Sequence, residues 1–73
     1  MNYETRVTCM TVLPDGEPIF CEASTEIKID AVNGAEFVVI KQTVENEMHI
    51  IISPDNWPAI RKAIDKMIKE CRL

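Results

Sequence analysis

The residue types most often used for catalysis or metal binding are few in this chain. It has three cysteines, Cys9, Cys21 and Cys71, and one histidine, His49, and none of them stand at the short spacings typical of zinc sites. We therefore expect no metal, no cofactor and no enzymatic activity, and a histidine that is structural or merely exposed. Because the N-terminal residues lack the pattern of a secretion signal, we expect reduced thiols in the core of a cytoplasmic protein.

A second group of residues has the chemistry of a binding surface. Phe20 and Phe37 offer aromatic rings for stacking, and Arg6, Lys28 and Lys41 offer positive charge for a phosphate backbone. We predict these five residues as contacts to a nucleic acid or a protein partner. They can act together only if the elements that carry them place them on one surface.

Charge is unevenly distributed along the chain, whose net charge is −4. Residues 1–53 contain three basic and nine acidic residues, whereas residues 54–73 contain five basic and three acidic ones. Affinity for a polyanion needs clustered lysine and arginine, so the first 53 residues are a poor place for it on charge alone. The basic residues near the C-terminus are most simply the solvated face of a helix.

Turn residues divide the first part of the chain into strands. A Pro-Asp-Gly sequence at 14–16 suits a hairpin loop, Asn33-Gly34 is the strongest short hairpin signal, and the third turn, at 45–47, is polar. The segments between the turns are rich in Val, Ile, Thr and Phe, which predicts strands. The predicted strands span 3–13, 18–32, 35–44 and 48–52. Because the connections are short, neighbouring strands are expected to be antiparallel, in a four-stranded meander.

A helix is predicted after the last strand. Ser53 can cap its free amides, and Pro54 fits the first helical position. Apolar residues then recur at helical spacing, namely Trp57, Ile60, Ala63, Ile64, Met67, Ile68 and Cys71. The sequence thus predicts one α+β domain over 1–73, with four strands followed by a helix at 54–71 (ββββα).

Loop lengths predict which side chains share a face of the sheet. The expected cross-strand pairs are Cys9 with Cys21, Ile29 with Val38 and Ile27 with Ile40. A disulfide between the first two is sterically feasible, although we favour free thiols. These positions form one apolar face, on which we expect the helix to pack.

The other predicted face is not purely polar. It would carry Arg6, Met10, Val12, Phe20, Lys28, Val32, Phe37, Val39, Lys41 and Ile51. Because a sheet face open to water usually alternates to polar residues, this one indicates a dimer interface, a strand shifted by one residue, or a platform for a ligand. The short chain and the two-sided sheet lead us to expect a homodimer.

The segment from the last strand through the helix resembles the C-terminal domain of the transcriptional positive cofactor four family, whose fold is shared with the whirly proteins. The resemblance covers residues 50–71 and is carried mostly by Ser53, Pro54, Trp57, Ile60 and Ile64. It implies a homodimer that binds single-stranded nucleic acid across curved sheets, with Pro54 and Trp57 starting and anchoring the helix.

By this resemblance we predict a non-catalytic, transcription- or replication-associated homodimer that binds single-stranded nucleic acid. Members of the family carry many basic residues on the sheet, whereas residues 1–53 carry three against nine acids. The alternative is therefore a small acidic accessory or inhibitor protein, of phage or plasmid type, that binds another protein through its sheet face. No apolar run is long enough to span a bilayer, so we expect no membrane partner.

Overall fold

Four strands and one helix make up the computed structural model, which describes residues 1–19, 21–42 and 49–72. The elements are β1 (Cys9–Val12), β2 (Thr25–Val32), β3 (Ala35–Gln42), β4 (His49–Ile52) and α1 (Trp57–Glu70). The strands form a single antiparallel sheet in the order β1-β2-β3-β4, so the predicted ββββα fold is confirmed. The predicted turn at 45–47 and the strand residues next to it lie outside the described residues.

The β2–β3 hairpin has the predicted turn and register. Asn33 and Gly34 have φ angles of 53° and 82°, as a two-residue hairpin turn requires, and Val32 pairs with Ala35. The predicted pairs of Ile29 with Val38 and Ile27 with Ile40 follow from that turn.

The predicted first hairpin is wrong. Its turn does form, because the Glu17 amide donates a hydrogen bond to the Pro14 carbonyl at 3.2 Å. Two further turns follow within 18–24, where the Cys21 and Ser24 amides donate to the carbonyls three residues before them. Pro18 has no amide to offer to a strand ladder, so pairing cannot begin beside the loop. The second strand therefore begins at Thr25.

Because β2 begins later than predicted, the side chains of β1 lie on the opposite faces of the sheet from those predicted. Cys9 pairs with Lys28 instead of Cys21, which is a shift by an odd number of residues. Because successive side chains of a strand alternate between faces, an odd shift moves every side chain of β1 to the opposite face. Met10 and Val12 thus lie on the same face as Ile27, and Cys9 lies on the other.

The register defines two surfaces of the sheet. The apolar face carries Met10, Val12, Ile27, Ile29, Val38, Ile40, Ile50 and Ile52, with Thr25, Ala31, Glu36 and Gln42 at the two ends of the β2–β3 hairpin. The lysine face carries Cys9, Thr11, Glu26, Lys28, Asp30, Val32, Ala35, Phe37, Val39, Lys41, His49 and Ile51.

A tight turn leads from the sheet into α1. The Ser53 amide donates to Asn56 Oδ1 at 2.9 Å, and the Asn56 amide donates to Ser53 Oγ at 3.2 Å. The Trp57 amide also donates to the Ser53 carbonyl, at 3.1 Å. This turn occupies 53–56, so the helix begins at Trp57 rather than at the predicted Pro54.

The predicted packing of the helix along the apolar face is wrong. Among the described residues, the buried apolar side chains are Val39 and Ile52, and no residue of α1 is buried. Only the first turn of the helix meets the sheet, where Trp57 borders a cavity over the apolar face. In the described part of the chain, no helix has both the length and the apolar character needed to span a bilayer.

Candidate binding surface

Three of the five predicted contacts lie together on the lysine face. Lys28 pairs with Val39 across β2 and β3, and Phe37 and Lys41 lie two residues to either side of Val39. At about 3.4 Å per residue, each is some 7 Å from the valine along the strand. The aromatic ring and the two ammonium groups are therefore grouped around one valine.

That valine is one of the few buried side chains among the described residues. Val39 is only 7% exposed, while Lys28 and Phe37 beside it are half-buried. A lysine side chain can lay its methylene stem along apolar surface and keep its charged end in water. Val39 is therefore a buried apolar centre, with Lys28 and Phe37 half-buried beside it and Lys41 exposed.

Acidic residues also lie on the lysine face. Glu26 pairs with Lys41, Asp30 pairs with Phe37, and both acids flank Lys28 along β2. Within 1–19, 21–42 and 49–72, neither lysine forms an ion pair with a carboxylate. Both ammonium groups thus remain available to a ligand, but the charges of β2 and β3 on this face balance.

The sequence reasoning did not include His49 or Cys9 in this surface. His49 is exposed and pairs with Lys41, and Cys9 is exposed and pairs with Lys28. The face on which each of them lies follows from the register of an outer strand. That register depends on connections longer than a tight turn, so it could not be predicted from local sequence. The imidazole adds a hydrogen-bonding group to the edge of the surface.

Arg6 lies on the side of the apolar face and not with the lysines. Its guanidinium donates two hydrogen bonds to the Glu36 carboxylate, at 2.9 Å and 3.3 Å. The register of β1, continued through the hydrogen bond from the Ile29 amide to the Thr8 carbonyl, places Arg6 beside Ala31, which pairs with Glu36. The short alanine side chain lets the arginine reach across β2.

This ion pair changes the titration of both partners. The hydrogen bond from Arg6, and then its charge, hold the pKa of Glu36 below its ordinary value, and the same contact raises the pKa of Arg6. Both side chains are about half exposed, so solvent screens the interaction. Since Glu36 already neutralises Arg6, this arginine offers little to a phosphate.

The cysteines and the acidic side chains of the described residues lie apart from one another. No three His, Cys, Asp or Glu side chains among them are grouped as a metal site would require. The thiols of Cys9, Cys21 and Cys71 are free, and the prediction that all three lie in the core is wrong, because Cys9 and Cys71 are exposed. Phe20, the remaining predicted contact, lies outside the described residues.

Comparisons with models of protein families, with curated proteins and with solved structures gave no match to this chain.

Proposed function

We propose that this protein is a non-catalytic homodimer that binds single-stranded nucleic acid on its lysine face. The observation that carries the proposal is the grouping of Lys28, Phe37 and Lys41 around Val39. Bases stack on aromatic rings without regard to sequence, and ammonium groups attract the phosphates between them. The resemblance of residues 50–71 to the transcriptional positive cofactor four family supports the same reading.

The homodimer is supported by the surface that one chain leaves uncovered. Large aliphatic residues of the apolar face and of α1 are exposed, including Met10 at 67% and Met67 at 64%. The radius of gyration is 15.0 Å, whereas a compact chain of this length has about 11 Å. A chain with so little core of its own gains stability by association.

The proposed setting is transcription or replication in the cytoplasm. The three free thiols are compatible with a reducing compartment.

A second candidate function is that of a small acidic accessory or inhibitor protein that binds another protein. It is favoured by Glu26 and Asp30, which flank Lys28 on the lysine face, and by the nine acidic residues of 1–53. Such a surface complements a basic protein surface better than it complements a phosphate chain.

A titration separates the two functions. Labelled oligo-dT and a labelled duplex are each mixed with the protein at low and at moderate salt, and binding is followed by fluorescence anisotropy. We expect oligo-dT to bind more tightly than the duplex and to weaken as salt rises. No binding of oligo-dT at low salt, where electrostatic attraction is strongest, would remove the first function and leave the second.

A further inference from the structure

The helix presents an apolar stripe that nothing covers within the described chain. Ile64, Met67 and Ile68 are each about half or more exposed. Lys62 and Lys66 lie on the opposite side of α1, as the helical repeat of 3.6 residues requires. A stripe of this kind is typical of a helix that packs on an apolar surface.

The apolar face of the sheet is the matching uncovered surface. Met10, Val12 and Ile50 are largely exposed on it. Next to Trp57 it contains an open, wholly apolar cavity of about 340 Å³, lined by Ile27, Val38, Ile40, Ile52, Ser53, Pro54 and Trp57. Apolar side chains of a helix would fill this space.

The helix of the same chain is held away from that face. The turn at 53–56 is closed by the reciprocal hydrogen bonds of Ser53 and Asn56, and these set the direction in which α1 leaves the sheet. The longest dimension of the chain is 53 Å, although an eight-residue strand spans only about 27 Å.

We propose that the two copies of the homodimer exchange their helices, so that α1 of each copy lies across the apolar face of the other. This inference rests on the homodimer of the proposed function. The dimensions agree, because α1 is about 21 Å long and the outer strands of a four-stranded sheet are about 14 Å apart. The exchange is twofold symmetric, so one pair of surfaces is used twice and the assembly closes.

Charge favours the same arrangement. Residues 54–73, which include the helix, carry five basic and three acidic residues, whereas residues 1–53, which include the sheet, carry three and nine. The two segments thus carry net charges of +2 and −6, so long-range attraction between copies favours their association, while the contact between stripe and sheet is itself apolar.

A pair of matched double variants tests the exchange. Ile64→Gln/Met67→Gln removes two apolar contacts from the stripe, and Lys62→Gln/Lys66→Gln places the same new side chains on the opposite side of the helix. By analytical ultracentrifugation we expect the first variant to raise the dimer dissociation constant about 100-fold or more, since each lost contact occurs twice per dimer. At about 0.15 M salt, where attraction between exposed charges is largely screened, the second should change it by less than about threefold. A monomeric wild-type protein, or equal effects of the two variants, would overturn the proposal.

Contacts between copies distinguish exchange from other dimers. In a mixed sample of ¹³C-labelled and unlabelled chains, isotope-filtered NOEs report only proximities between copies. We expect NOEs from the methyl groups of Ile64 and Met67 to those of Met10 and Ile50. A dimer that shows NOEs between helices alone overturns the exchange and leaves the homodimer. Binding of single-stranded nucleic acid is measured separately, by the oligo-dT titration. If oligo-dT does not bind, the nucleic-acid function is removed and the exchange remains.

Discussion

Replacing both lysines of the lysine face gives the most direct test of the binding surface. Lys28→Gln/Lys41→Gln removes the two cations next to Val39 and keeps Phe37 in place. Neither lysine forms an ion pair with the described carboxylates, so the replacement removes no such contact from the fold. We expect the variant to fold normally and to bind oligo-dT weakly.

The magnitude follows from the number of cations on one face. Each phosphate contact of a single strand contributes about 0.7 to the slope of log affinity against log salt, so two lysines give a slope near −1.4. Wild-type affinity should then fall about sevenfold between about 50 and 200 mM salt. A slope of −1.4 taken from about 1 M down to about 50 mM salt corresponds to about 70-fold in affinity. At about 50 mM salt the variant should therefore bind about 70-fold more weakly than the wild type, and the slope of its log affinity against log salt should approach zero.

A matched control separates a local effect from a change in net charge. Lys62→Gln/Lys66→Gln removes two positive charges from the helix, so both double variants carry the same net charge. Fluorescence anisotropy with labelled oligo-dT is measured for the three proteins over the same salt range. Equal losses for the two variants would refute a specific lysine face, and an unchanged affinity of Lys28→Gln/Lys41→Gln would refute any role for it.

Three other perturbations test the fold. Gly34→Ala places a Cβ at φ +82°, where no atom lies within 4 Å of it, so backbone strain alone should cost about 1 kcal/mol and lower the Tm by about 4–8 °C in a thermal melt. Glu36→Gln removes a carboxyl whose pKa is lowered in the folded state. The wild type should therefore have the higher Tm above pH 4.5, and melts at lower pH should show this difference vanish as the pH falls through the lowered pKa. Trp57→Ala should cost about 2 kcal/mol in urea unfolding at low protein concentration, about half the value for a buried tryptophan, because 42% of Trp57 is exposed; an unchanged midpoint would mean that Trp57 does not anchor the helix.

The parts of the fold set by local chemistry could be predicted from the sequence. Asn33 and Gly34 adopt the positive φ angles of a two-residue turn, and this turn alone determines the register of β2 with β3. It therefore also determines that Lys28, Phe37 and Lys41 share a face. The apolar spacing of the last segment predicted α1, and Ser53 takes part in the turn that precedes it.

The parts set by longer connections could not be predicted in the same way. The Pro-Asp-Gly sequence predicts the turn at 14–17, but nothing local indicates that two more turns follow before Thr25. The register of β1, and with it the face that carries Arg6, depends on how many residues those turns use. The amphipathic pattern of α1 indicates a stripe suited to packing on an apolar surface, but it does not indicate whether that surface belongs to the same chain.

The nucleic-acid surface and the helix exchange both depend on how the side chains of β1 alternate between the two faces of the sheet. Because β1 is turned over relative to the prediction, Met10 and Val12 add to the apolar face, and the lysine face loses Arg6. In the exchanged dimer the two apolar faces point inward with the helices between them, so the two lysine faces lie on opposite outer sides. A single nucleic-acid strand then contacts the cations of one lysine face only. The expected salt slope is therefore calculated from two lysines and not from four. A slope near −2.8 would mean that one nucleic-acid strand contacts the lysine faces of both copies. A straight strand cannot do so when these faces lie on opposite sides of the dimer, so this result would contradict the exchanged arrangement.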